Sequence, residues 1–245
     1  MKYGIFGDVH GNLEALEAVL ADMEEQGVTH PLCLGDLVGY GANPSECLEV
    51  IRAMGCPIVR GNHDDLVPTG KVPSSFSEAA KLSLQYAQHQ LRPTQLNFLR
   101  RLPMTWMEDP ITLVHATLDG PESWGYLSSR LEAQTSFFYQ KTLICFVGHT
   151  HRPCAFVQEG EVRPLEFRNV DVHPERSRIR RKFLFNVGSV GQPRDGDWRA
   201  GYAIFSPEEF RVDLRRVNYN IEKAASKILK AGLPESLSKR LYRGE

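Results

Sequence analysis

No apolar run in the 245 residues approaches the length needed to span a bilayer, and the N-terminus enters a polar turn without a basic, then apolar, leader. A cytoplasmic protein with no membrane partner is expected. Charge of one sign is also missing: 29 Lys and Arg against 30 Asp and Glu leave a net charge of -1, which argues against a chain that lives on nucleic acid. Cysteine is sparse and odd in number, and Cys33, Cys47, Cys56, Cys145 and Cys154 lie mostly in or beside strand-like runs. That pattern predicts reduced, buried thiols rather than a disulfide framework or a zinc knuckle. Neither Gly-x-Gly-x-x-Gly nor Gly-x4-Gly-Lys-Ser/Thr occurs, since Gly70-Lys71 is followed by Val72. Dinucleotide and P-loop readings lose their main support.

What is present is a series of polar turns, each following an apolar run of strand length. Gly7-Asp8-Val9-His10-Gly11-Asn12 follows residues 3–6, and Gly35-Asp36 follows 31–34. Gly61-Asn62-His63-Asp64 follows 57–59, His115 follows 111–114, and Gly148-His149-Thr150-His151 follows 143–147. In an open α/β sheet the carboxyl ends of the strands form the crevice where ligands bind, so the five clusters are expected to converge. Among their side chains are two Asp (Asp8, Asp36), one Asn (Asn62) and four His (His10, His115, His149, His151), with no Cys, an inventory suited to borderline divalent metals and rich enough for two.

The remaining periodicity is consistent with an α/β chain. Leu13, Leu16, Leu20 and Met23 recur at helical spacing, capped by Asn12 and stopped by Gly27, and Asn43-Pro44-Ser45 opens a second helix. This βαβ alternation predicts parallel pairing with right-handed crossovers. Residues 64–75 read as a Pro/Gly-rich surface loop, followed by helices at 78–90 and 94–101. Two antiparallel strands are expected around Asp109-Pro110, then a long loop over 116–126 and a helix at 131–140. Strands from Leu143, Cys154, Val162, Phe183, Tyr202 and Phe210 should form a second, more antiparallel half, before helices near 221–232 and 235–242. The basic run Arg176-Ser-Arg-Ile-Arg-Arg-Lys182 carries no interleaved aromatics, and its alternation at 176, 178 and 180 suits the solvated face of a hairpin strand. The expectation is one domain over 1–245, a two-sheet β-sandwich flanked by helices.

The ordered set Asp-x-His, Gly-Asp, Gly-Asn-His-Asp, lone His and Gly-His-x-His resembles the calcineurin-like metallophosphoesterases. The stretch Asn186-Val-Gly-Ser-Val-Gly-Gln-Pro-Arg-Asp is similar to the segment that follows in small bacterial members. The resemblance implies the same sandwich and two divalent ions, Mn first, with Fe, Zn or Ni as alternatives. It implies that Asp8, His10, Asp36 and His151 hold one ion, and Asp36, Asn62, His115 and His149 the other. Two such ions about 3.5 to 4 Å apart share and acidify a water and take up phosphoryl charge during in-line attack. By the same resemblance His63 protonates the leaving oxygen or steadies the phosphoryl group. Protein phosphatases of this superfamily carry an Asp-Arg pair where Gly39 and Tyr40 stand here, and Ala116 replaces the Gly common after the lone His. Asp64 is the nearest orienting partner for His63, and Arg194 could supply the phosphate grip, unless it pairs with Asp195 or Asp197.

The expected activity is hydrolysis of a phosphodiester or phosphomonoester of a small or nucleotide-like substrate. A diadenosine-tetraphosphate-type hydrolase is the alternative and would need a stacking platform, for which Tyr40, Trp124 and Trp198 are available. A non-enzymatic scaffold on the same fold is a third reading, against which the filled ligand positions speak. A metal-dependent nuclease is a fourth, which the charge balance does not encourage.

Overall fold

The structure is a computed structural model that describes residues 1–174 and 181–245. Chain order begins β1 (Tyr3–Phe6), α1 (Leu13–Glu25), β2 (His30–Cys33), α2 (Pro44–Met54), α3 (Asn62–Leu66), α4 (Glu78–Gln90) and α5 (Pro93–Arg100). It continues with β3 (Thr105–Glu108), β4 (Ile111–Val114), α6 (Arg130–Tyr139), β5 (Ile144–Val147), β6 (Cys154–Glu159), β7 (Glu161–Leu165), β8 (Val170–Asp171) and β9 (Lys182–Asn186). The chain closes with β10 (Ala200–Ser206), β11 (Arg211–Val217), α7 (Ile221–Lys230) and α8 (Glu235–Arg243).

Two mixed sheets result, ordered β2-β1-β10-β11-β8 and β3-β4-β5-β9-β6-β7. The period of two along each strand sorts side chains between layers. Tyr3, Ile5, Ala203 and Phe205 of the first sheet meet Ile111, Leu113, Phe146, Phe183 and Phe185 of the second in the core between them. The alternate residues Tyr202 and Ile204 face outward under α1, α2, α7 and α8. Cys145, Val147 and Leu184 pack outward under Ala133 and Phe137 of α6. The arrangement is therefore α/β/β/α, the expected flanked sandwich.

Parallel pairing of β1 with β2 agrees with the βαβ reading. Among the strands from Leu143 onward most pairings are antiparallel, as expected of a more antiparallel half, but the halves do not form separate sheets. β10 returns to pair antiparallel with β1, while β4, β5 and β9 run parallel to one another in the other sheet. Each sheet thus takes strands from both halves of the chain, because β1 is flanked on its second edge by a late strand. Residues 57–59 make no strand of their own: Ile58 forms a single bridge to Cys33. The expected loop at 64–75 is also corrected at its start, since α3 and a 3-10 turn at Val67–Thr69 come first. The hairpin strand expected at 176, 178 and 180 lies outside the described residues. All five cysteines are free, with Cys33, Cys47 and Cys145 buried and Cys56 and Cys154 partly so. Among the described residues no helix is long and apolar enough to cross a membrane.

Candidate metal centre

The ends of β1, β2, β4 and β5 open at one edge of the sandwich, and the turns that follow them deliver Asp8, His10, Asp36, His115, His149 and His151 together. Asn62 and His63 arrive on the first turn of α3. Backbone bonds lock these turns to one another: His10 N–H donates to Asp36 O at 2.9 Å, and Gly148 N–H to His115 O at 2.9 Å. Asp8, His10, Asp36, Asn62, His63, Asp64, His115 and His151 are all buried, and His149 lies at the boundary.

Three imidazoles are held by the same device. His10 Nδ1 lies 3.1 Å from Val38 O, His115 Nδ1 2.7 Å from Leu34 O, and His151 Nδ1 2.6 Å from Gln192 O. A carbonyl can only accept, so each Nδ1 carries a proton and each ring turns its Nε2 inward. Asp36 Oδ2 is 3.5 Å from His10 Nε2 and 3.4 Å from His115 Nε2. Asp8 Oδ1 is 3.2 Å from His151 Nε2, and the Nε2 atoms of His10 and His151 are 3.0 Å apart. Lone pairs and carboxylates facing one another are stable only with positive charge between them. The donor set gathers as Asp8, His10 and His151 on one side and Asp36, His115 and His149 on the other. Asn62 Oδ1, His115 Nε2 and His149 Nε2 are buried polar atoms without a hydrogen-bond partner, which fits the residues to cations.

Protonation follows the same crowding. Burial opposes charge on Asp8, but His151 and His115 hold its carboxyl down to about 2. Burial pushes His149 and His63 down to about 4, and His10 well below its usual value. His115 moves the other way: burial disfavours its charge, yet Asp36 and Asp8 bring it up to about 10.

Asp64 does not take the orienting role expected of it. Its oxygens accept the backbone N–H groups of Asp36 (2.7 Å), Leu37 (2.9 Å) and Gly61 (3.1 Å), so it braces two of the site's turns. Burial, and then Asp36, push its carboxyl up to about 7 against those donors. His63 Nδ1 is buried without a partner and faces Gly39, where any side chain would overlap the ring. Gly39, at φ +89°, therefore makes room for the imidazole, and the absence of Asp at that position has a steric reason.

A cavity of about 430 Å³ opens over this centre, lined among others by Asp36, Asn62, His63, His149 and His151. Arg194 and Tyr40 line it, and the Arg194 guanidinium lies over the Tyr40 ring at 5.6 Å. Arg194 makes no ion pair among the described residues: Asp195 pairs with Arg216, and Asp197 with Arg199. Trp124 is not in the lining; it sits edge-on to His115 at 6.0 Å. Trp198 packs against Tyr219. Sequence reasoning missed Tyr126, Phe76 and Arg240, all in the lining, and the Tyr126 ring lies tilted against His149 at 4.6 Å. It also missed Asn186, whose amide donates to Gly148 O (2.6 Å) and Thr150 Oγ1 (2.9 Å) and so fixes the Gly-His-Thr-His turn. No signal in spacing marks Tyr126 or Arg240, whereas the Asn-Val-Gly-Ser run did flag the neighbourhood of Asn186.

Six site residues adopt left-handed backbone conformations: Asp8, His10, Asp36, Tyr40, His149 and His151, with φ from +49° to +67°. Such φ values cost non-glycine residues roughly 1–3 kcal/mol each.

Comparison with known proteins agrees with this architecture. Residues 1–209 match the family model of the calcineurin-like phosphoesterase superfamily domain. A Methanocaldococcus jannaschii protein is 39% identical over 98% of this chain and 97% of its own length. The crystal structure of a metallophosphoesterase from Sphaerobacter thermophilus is 37% identical, with a TM-score of 0.85 over 100% of this chain and 99% of that one. A symmetrical bis(5'-nucleosyl)-tetraphosphatase of Coxiella burnetii is 31% identical over 53% of this chain, and the match spans 46% of that enzyme. With its ordered turns, its two-sheet sandwich and these matches, the chain belongs to the calcineurin-like phosphoesterase superfamily.

Proposed function

We propose that the protein is a metal-dependent phosphoesterase that hydrolyses a phosphodiester or phosphomonoester of a small or nucleotide-like substrate. The observation that carries the reading is Asp36 Oδ2 standing between the inward Nε2 atoms of His10 and His115. One carboxylate so placed suits two cations. Asp8, His10, Asp36 and His151 would hold one ion, and Asp36, Asn62, His115 and His149 the other. With N and O donors only, Mn comes first, and Fe, Zn or Ni are alternatives. When bound, the ions acidify a water at neutral pH and take up charge on the phosphoryl oxygens.

The chain's own groups then have distinct tasks. Water adds to phosphorus, the ester bond to the leaving oxygen breaks, and that oxygen needs a proton or a hydrogen bond. His63 lines the cavity with Nδ1 walled in against Gly39, which leaves Nε2 for the substrate. Burial holds the ring neutral at pH 7, so it carries one proton, and with that proton on Nε2 it would steady the leaving oxygen by a hydrogen bond. Arg194, free of any carboxylate among the described residues, offers a planar fork to a non-reacting phosphate oxygen pair. Asp64 keeps the turns of Asp36 and Asn62 in register and touches no substrate.

A second reading, hydrolysis of a dinucleoside tetraphosphate, is favoured by the Coxiella relative's activity and by Tyr126, whose ring borders the cavity above His149. A panel of nitrophenyl phosphates, nucleotides and dinucleoside polyphosphates, assayed with Mn, Fe, Zn and Ni added separately, tests both. Turnover that depends on added metal supports the phosphoesterase reading. Absence of turnover with every metal would leave a scaffold on this fold.

A further inference from the structure

Two arginines line the cavity, and one of them arrives from outside the family-matched residues 1–209. Arg240 projects from α8 into the same cavity that Arg194 enters from the loop after Gln192. Neither guanidinium has a carboxylate partner among the described residues. Both act electrostatically on Tyr40, so the two charges share one neighbourhood of the cavity wall.

Their positions are mechanically linked. Leu237 and Leu241 bury the inner face of α8 in the core, so the helix cannot roll. At its end Gly244, at φ +64°, accepts the N–H of Gly196 at 3.0 Å, and any side chain at 244 would meet the backbone of residues 196–197. The last turn of α8 is thus sealed to the loop that bears Arg194. Arg194 Nη2 donates to Gln192 Oε1 at 3.1 Å, and its buried Nε has no partner. Two guanidinia without a carboxylate partner among the described residues are thus held by elements bonded to each other, in a cavity large enough for a small organic ligand.

Building on the phosphoesterase reading, we propose that Arg194 and Arg240 together bind a second anionic group of the substrate, so that the cavity selects compounds in which the reacting phosphate is joined to a further phosphate. Arg240 is then a specificity-determining residue supplied by the C-terminal helix, and esters with a lone phosphate use only part of the site. Lys would supply charge without the planar fork.

The test is calorimetric binding of adenosine 5'-monophosphate and of the methylene analogue of adenosine 5'-diphosphate to the metal-loaded protein. The wild type should prefer the diphosphonate, and R240Q, which keeps the aliphatic stem over the helix, should lower that preference about tenfold. R240K should fall between, and R194Q should lower the preference as well. An unfolded variant is recognised by its thermal midpoint, and R240K then supplies the comparison. No preference in the wild type, or an equal loss for both nucleotides in R240Q, overturns the proposal. If no phosphate ester is turned over with any metal, the phosphoesterase reading fails, while the binding contrast still judges the arginine pair.

Discussion

Asp64 accepts the backbone N–H of Asp36 at 2.7 Å, so the carboxylate that was expected to steer His63 instead holds the turn of the residue between the two histidine groups. It also accepts from Leu37 and Gly61. Asp64→Ala would strand three buried donors, and we expect a loss of about 2–4 kcal/mol in urea unfolding of the metal-free protein. Asp64→Asn keeps one acceptor oxygen and should lose less. A change below about 0.5 kcal/mol for Asp64→Ala would show that water satisfies these amides.

Metal content follows from the seven candidate ligands, too many for one ordinary site. Elemental analysis after saturation should find two ions per chain, and Asp36→Asn should lower both metal content and activity. One ion or fewer in a fully active preparation would remove the dinuclear scheme.

His63→Asn separates hydrogen bonding to the leaving oxygen from metal binding. Metal content should stay at two, while the rate falls about 10²–10⁴-fold for alkyl esters and less for nitrophenyl esters, whose leaving oxygen needs little protonation. Equal losses on both ester types would point to phosphate positioning instead.

Acid stability should depend on Asp22, which joins α1 to the first sheet through Arg215 (2.7 and 3.0 Å) and the Tyr202 hydroxyl. Burial resists its charge, but Arg215 and then Tyr202 hold its carboxyl below the usual range. A folded value below the unfolded one, about 3.9, means the stabilisation is present above that pH and is lost as pH falls through the folded value. Asp22→Asn should cost about 1–2 kcal/mol at pH 7, discounted for the partly exposed Arg215, and the gap to wild type should narrow at pH 3. A gap that stays constant from pH 7 to pH 3 would mean that charge at Asp22 contributes nothing.

Base recognition should rest on Tyr126 rather than Trp124. Tyr126→Ala should raise KM for nucleotide substrates several-fold, in line with the roughly 0.5–1.5 kcal/mol of an aromatic pair, with less effect on bis-nitrophenyl phosphate. Trp124→Ala, by contrast, should act through His115. The two variants behaving alike across a nucleotide panel would contradict this division.

Much of the centre was legible because its chemistry is local. Asp8 and His10, or His149 and His151, announce themselves within three residues, and each follows an apolar run that has to be a strand. The sheet partners were not legible in the same way. Whether β10 joins β1 or continues the second sheet depends on inner-face packing of Ala203 and Phe205 across a distance of two hundred residues, which periodicity does not encode. The role of Asp64 was misread because spacing reports neighbours in sequence, while its partners, Asp36 and Leu37, are amides of another turn. Tyr126 and Arg240 were missed because an aromatic in a loop and an Arg on an amphipathic helix look alike whether they face solvent or a cavity.

The left-handed backbone at Asp8, His10, Asp36, Tyr40, His149 and His151 sets a direction for change in this fold. Glycine at any of these positions would relax the main chain and delete a functional group in one step. Part of the cost of losing the centre is therefore refunded in folding free energy, which makes drift toward an inert, sturdier relative locally downhill. Hardening the protein while keeping its chemistry has to come from elsewhere, on the outer faces of the helices, where no side chain is asked to hold a conformation it disfavours.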